Sequence, residues 1–178
     1  MSDAVELTAG FRPLLKWPND LVVDDRKLAG VLAESLLTGP GSPALVVGVG
    51  CNLTRDAFPP ELAERATSVA HVFGGSGRAV SADDLLVAFL EVLHTHHTAL
   101  ETPSGRAELR RLERERTATL GRIVSVETAE GELRGKAVDL DPDGALVVDV
   151  DGRRRSVHVG DVVHLRPDES RRPSGSSG

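Results

Sequence analysis

Tyrosine is absent from this 178-residue chain, tryptophan, cysteine and methionine occur once each, and aromatic residues make up 3% of it. A single cysteine excludes an internal disulfide. With so few rings the core must be packed from Val, Leu and Ala, and a stacking platform for single-stranded nucleic acid is disfavoured. The net charge of −6 points the same way, since phosphate backbones are held by clustered cations. No apolar run approaches the length of a membrane span, and no charged-then-apolar signal segment opens the chain. The expectation is a cytoplasmic protein with neither a nucleic-acid nor a membrane partner. A hydrophobic content of 40% over this length is enough for one ordinary domain and a smaller second one.

Two further scarcities are more informative. The chain has three lysines, Lys16, Lys27 and Lys136, against eighteen arginines, and two asparagines, Asn19 and Asn52. Arg presents a planar fork, whereas Lys is a compact point charge on a flexible stem, so a position that keeps Lys in an Arg-rich chain suggests one cation aimed at one oxygen. Lys16 and Lys27 flank the only Trp and the first Asn, in KWPND (Lys16 to Asp20) and RKLAG (Arg26 to Gly30). Pro18-Asn19-Asp20 is also an ordinary turn signal. The second Asn closes a glycine-punctuated strand, Gly48-Val49-Gly50-Cys51-Asn52, which lacks the third glycine and following helix of a dinucleotide fingerprint. Its glycines leave one strand face bare, for packing or for a ligand. A neutral amide at the strand end suits a phosphate oxygen or a water of a bound Mg²⁺.

In order and spacing, Lys16-Trp17-Pro18-Asn19-Asp20, Arg26-Lys27-Leu28-Ala29-Gly30 with Glu34, Gly48-Val49-Gly50-Cys51-Asn52 and Ala66-Thr67-Ser68 resemble the biotin protein ligases, over about residues 1–166. The resemblance implies an α+β fold: a partial catalytic domain of the biotin/lipoate-ligase type, a mixed β-sheet with helices, followed by a small SH3-like β-barrel. It implies the substrates ATP and biotin, with Mg²⁺, and a biotin carboxyl carrier domain as partner. Lys27 and Asp20 are the implied catalytic pair, Lys27 on the biotinyl carbonyl and phosphate oxygens and Asp20 on the acceptor lysine. Lys16, Trp17, Asn19, Gly30, Gly48, Gly50, Asn52 and Arg166 are the implied binding residues, Asn52 also holding the metal through water. The family's Gly/Arg-rich loop that covers the adenylate has no counterpart before Lys16, so the chain is expected to be a fragment, a mis-assigned start or one half of a split enzyme, the last with a missing N-terminal half as partner. A homodimer through a sheet edge stays open.

Along the chain, residues 1–10 read as the last turns of a helix stopped at Gly10. Leu14 to Trp17, Leu21 to Val23 and Leu28 to Leu37 form a meander around the PND and Asp24-Asp25-Arg26 turns. Thr38 to Pro43 is a loop, and Ala44 to Leu53 a strand. Phe58 to Leu62 is a proline-started loop. Thr67 and Ser68 either cap a turn or reach the nucleotide. Gly74 to Arg78 lacks the Lys-Ser/Thr ending of a P-loop and is a surface connection. Ser81 caps a helix with Leu85, Phe89, Val92 and Leu93 at core spacing through about Leu100. Its histidines, His94, His96 and His97, lack the completing carboxylate or Cys of a metal site. Ser104 to Arg116 is an exposed, salt-bridged helix. Short strands with Asp-Gly turns at 143–144 and 151–152 follow, and Arg153 to Arg155 charge an edge. The expected domains are 1–116 and 117–167, with a disordered tail at 168–178.

Three functions are consistent with this reading. The first is a biotin–[biotin carboxyl carrier protein] ligase fragment, which forms biotinyl-5′-AMP and transfers biotin to a carrier lysine. The second is an inactive remnant or half-enzyme that binds a carrier domain or partner subunit. A lipoyl or octanoyl transferase fits less well, because those relatives lack the KWPND run and the C-terminal module. Transcriptional repression would require a helix-turn-helix that the sequence does not contain.

Overall fold

The structure is a computed structural model that describes residues 1–37, 43–54, 58–59, 62, 64–73, 79–128, 131–158 and 161–164. The chain divides into two compact units, Met1–Leu109 and Arg110 onward. In the first, helix α1 (Ser2–Ala9) ends where Gly10 turns left-handed at φ 75° and donates its N–H to Glu6 O, a conformation that costs glycine little. Strands β1 (Leu14–Lys16), β2 (Asp20–Val23), β3 (Arg26–Leu37) and β4 (Pro43–Cys51) then form one antiparallel sheet in chain order, as the meander reading expected. Asp24 and Asp25 both have positive φ, 50° and 61°, and join β2 to β3 in a tight hairpin. Asp tolerates that region better than most side chains.

Ser68 caps the short helix α2 (Val69–Val72), its hydroxyl accepting the His71 N–H. Capping is thus the role of Ser68. Ser81 likewise caps α3 (Ala82–Ala99) and accepts from Asp83 and Asp84. The core of this unit gathers Val5 and Ala9 of α1, Leu28 of β3, Val69 of α2 and Leu85 and Ala88 of α3. The α3 expectation needs correcting at one position. Leu93 is exposed, together with Leu86 and Leu90, so a second apolar stripe of this helix faces outward. The β3–β4 hairpin is also uncovered on both faces: Leu32 and Val46 on one, Leu45 on the other, are all exposed. No group of three or more metal-ligating side chains occurs among the described residues, and no helix among them is long and apolar enough to cross a membrane.

The unit boundary falls within α4 (Pro103–Arg116), which has no fully buried residue and carries an Arg111–Glu115 ion pair one turn apart. The second unit is a five-stranded antiparallel sheet, β5 (Ile123–Thr128), β6 (Gly131–Leu140), β7 (Leu146–Val150), β8 (Arg153–Val157) and β9 (Asp161–His164), in the order β8-β7-β6-β5-β9. Asp151 and Gly152, both at positive φ, make the tight β7–β8 turn. Arg153 to Arg155 are exposed on β8, an edge strand. Val124, Val126, Leu146 and Val148 are its buried centre. Arg114 donates from Nε to Asp139 Oδ1 at 2.8 Å and from Nη2 to Leu140 O at 2.6 Å, tying the end of α4 to β6. The segments 38–42 and 74–78, the tail from 168, and Arg166 lie outside the described residues.

Candidate active site

Everything expected of the first unit's chemistry depends on where β2, β3 and β4 aim their side chains. Asp20 opposes Gly30, and Gly30 opposes Gly50, so these three form one row across the sheet on one face. Lys27 would not share that face in a regular hairpin, because it lies three residues from Gly30 and alternation would send it to the other side. A bulge corrects this. Leu21 pairs with Ala29 but Val22 pairs with Lys27, which leaves Leu28 as the extra residue and turns Lys27 back onto the face of Asp20. The result is a Lys27 Nζ to Asp20 Oδ1 contact of 2.6 Å.

The pair stands directly over Gly30. A Cβ built there would lie 3.3 Å from both Asp20 Oδ1 and Lys27 Nζ, whereas one on Gly50 would meet nothing within 4 Å, and one on Gly48 only Leu32 O at 3.9 Å. The three glycines thus make a bare floor with a charged wall. The Lys27 side chain is 53% exposed and that of Asp20 21%. Among the described residues one ammonium N–H faces Asp20, and two are left for acceptor oxygens arriving over the floor.

Lys27 also borders a hollow of about 700 Å³, walled by Asn52, Phe58, Leu62, Arg65 and Ala66 among others. That is ample for a nucleoside or a drug-sized ligand. Phe58 and Leu62 offer apolar walls, and Arg65 offers a cation. In sequence 58–62 reads as a proline-started loop, with no motif that marks these residues. Two signals were present: Phe58 is one of only four Phe, and Arg65 immediately precedes the Ala66-Thr67-Ser68 motif. Lys27 therefore stands where the glycine floor and the hollow meet.

The other expected site residues divide. Asn19 is exposed in the β1–β2 turn, and its carbonyl accepts the Val31 N–H at 2.9 Å, which fixes the turn against β3. Lys16 is the cross-strand neighbour of Asp20, yet the ion pair of Asp20 goes to Lys27. Trp17 is 7% exposed and serves as packing under the turn, so its ring has little surface to give a ligand. Thr67 is fully buried, and its hydroxyl has no partner among the described residues, so it does not reach a nucleotide. Both hydrogens of the Asn52 amide are committed to main-chain carbonyls, Lys27 O at 3.3 Å and Thr67 O at 3.1 Å. What Asn52 retains is an acceptor oxygen, which suits a metal-bound water and not a phosphate. Lys136, the third lysine, lies on β6 in the second unit. Cys51, at the end of β4, has its thiol pushed up to about 11 by burial and is no nucleophile at neutral pH.

Comparison with known proteins matches residues 13–52 to the biotin/lipoate A/B protein ligase family and residues 119–165 to the biotin protein ligase C-terminal domain. A biotin–[acetyl-CoA-carboxylase] ligase of Paracoccus denitrificans is 32% identical over 162 residues, 90% of this chain and 67% of that protein. The Mycobacterium tuberculosis ligase of the same name is 36% identical over 154 residues, 85% of this chain and 53% of that protein. The chain thus spans between about half and two thirds of these curated relatives. The structure of a point mutant of a biotin protein ligase from Aquifex aeolicus in complex with biotin shares the fold, with a TM-score of 0.78 at 24% identity over 92% of this chain and 67% of that one. The same ligase in complex with biotin and ATP gives 0.76 at 25%, over 93% and 67%.

Proposed function

Because the chain belongs to the biotin protein ligase family, we propose that it takes part in joining biotin to a lysine of a carboxylase carrier domain through biotinyl-5′-adenylate. The observation that carries this reading is the position of Lys27, whose ammonium stands between a bare glycine floor and a nucleoside-sized hollow. In this reading the biotin carboxylate lies over Gly30 and Gly50, and the ATP base and ribose occupy the hollow against Phe58 and Leu62. Attack of the carboxylate on the α-phosphate brings two anions together, and Lys27 lowers the cost by donating to the oxygens of both. The carboxylate oxygen bonds to phosphorus and pyrophosphate leaves. In the second step the carrier amine attacks the acyl carbon and AMP leaves, with the amine's proton taken up by Asp20, held 2.6 Å from Lys27.

A magnesium ion would travel on the ATP phosphates. The residues fit that modest role: Asn52 offers one acceptor oxygen, and the described residues contain no cluster of three or more His, Cys, Asp or Glu. When bound, the ion neutralises phosphate charge. Arg166 is proposed, from the resemblance, as a further cation for the phosphates.

One observation favours a second reading, a half-enzyme completed by a further segment. Leu45 is 66% exposed and Leu32 56%, on opposite faces of one hairpin, which is an unusual cost for a sheet to carry uncovered. The two readings separate in one experiment, an incubation with biotin, ATP, Mg²⁺ and a carrier domain, with and without the N-terminal catalytic segment of a relative added in trans. Biotin on the carrier without addition supports the ligase reading. Biotin only with the added segment supports the half-enzyme, and none in either arm contradicts both.

A further inference from the structure

We infer that Asn52 is a positioning residue that acts through Lys27, locking the bulge that aims the ammonium. The inference rests on the function proposed above and assigns the donor groups of Asn52 a role different from ligand contact. Three of its groups converge on the same few atoms. Its backbone N–H donates to Leu28 O, the carbonyl of the extra residue in the bulge, at 2.9 Å. Its side-chain amide donates to Lys27 O and to Thr67 O, and its own carbonyl accepts the Val69 N–H at 2.9 Å. The 65–67 segment closes the other side: Lys27 N–H donates to Arg65 O and Thr67 N–H to Lys27 O, each at 2.8 Å. Both backbone groups of Lys27 are therefore held by the segment that also walls the hollow through Arg65 and Ala66.

This arrangement matters because a bulge is a local register choice. Without the bulge, Val22 would pair with Leu28 and Lys27 with Val23, opposite the face of Asp20. Asn52 favours the observed register by bonding the carbonyls of Lys27 and Leu28, the two residues at the bulge. The same bonds couple the hollow to the floor: a ligand that orders the 65–66 wall also orders the main chain of Lys27.

The test combines a ligand-free and a ligand-bound readout on Asn52→Ala. By NMR, hydrogen exchange at the Lys27 and Thr67 amides is expected to rise at least tenfold and the Lys27 ε-methylene order parameter to fall, while amides of α1 keep their protection. Unchanged exchange and order at Lys27 would overturn the inference. With a non-hydrolysable biotinyl-adenylate as probe, Asn52→Ala is expected to weaken binding about tenfold on its own and less than twofold when added to Lys27→Ala. An equal loss in both backgrounds would show direct ligand contact and overturn it as well. Asn52→Asp, which keeps the shape and removes the donors, is expected to behave like Asn52→Ala. If the unsubstituted chain fails to bind the probe, the proposed function falls, and the NMR arm alone judges the positioning role.

Discussion

Replacing Gly50 by Ala separates the needs of the fold from the needs of a ligand. A Cβ at this position meets nothing within 4 Å, and its φ is not in the left-handed region, so the folded chain accommodates the methyl without strain. Because Ala loses less backbone freedom than Gly on folding, Gly50→Ala is expected to stabilise the first unit by about 0.4–1 kcal/mol. For biotin the consequence is opposite. The methyl rises from the row that also holds Gly30, Asp20 and, through the bulge, Lys27, so a ligand lying on that floor is pushed away from the ammonium. An inserted methyl in a close-packed contact costs about 1–3 kcal/mol, which corresponds to roughly 5- to 150-fold weaker binding. Thermal unfolding and titration calorimetry with biotin read the two effects on one sample. A stabilised variant with unchanged biotin affinity would refute the assignment of the glycine face as a ligand surface.

The remaining predictions concern neighbouring groups. Thr67→Val replaces a buried hydroxyl that has no partner among the described residues, so unfolding stability is expected to hold or rise, by up to about 1 kcal/mol; a loss above that in chemical denaturation would show a hidden partner. The Cys51 thiol is held near 11 against an ordinary 9.0, so its contribution is complete below pH 9 and is lost as pH rises from 9 to 11. Stability measured across that window should decline, and Cys51→Ala should flatten the decline. Arg114 holds the Asp139 carboxyl below its ordinary value by hydrogen bonding, so that contribution is present at neutral pH and lost as pH falls below the usual carboxylate range. Arg114→Ala is expected to cost the second unit at most about 1 kcal/mol at pH 7, since the pair is partly exposed, and to remove this acid sensitivity; an unchanged acid limb would contradict the assignment.

The sheet and helices of the first unit were legible because each carries a local signal: Gly10 as a stop, Ser81 as a cap, two aspartates at a tight turn. Lys27 and Asp20 were legible through scarcity, since an Arg-rich chain keeps few lysines. The bulge that brings them together left no trace, because one extra residue in a strand changes neither composition nor propensity. The partners of Asn52 were hidden for a related reason: they come from 15 and 25 residues away along the chain, and only the fold supplies them. In sequence the amide suits either a phosphate or a metal-bound water, and the engaged hydrogens leave only the second. Helical spacing alone puts Leu93 in the core, and spacing cannot say which of two apolar stripes on α3 finds a neighbour.

The central claim is that Lys27 receives the oxygens of an acyl-adenylate over the glycine floor. Its most direct test is the affinity of a non-hydrolysable biotinyl-adenylate for the chain and for Lys27→Ala, with unfolding measured in parallel. Binding by the unsubstituted chain and a loss of about 10²–10³-fold in the variant, with stability changed by at most about 1 kcal/mol, is the expected result. Equal affinity for both, with both folded, would contradict it.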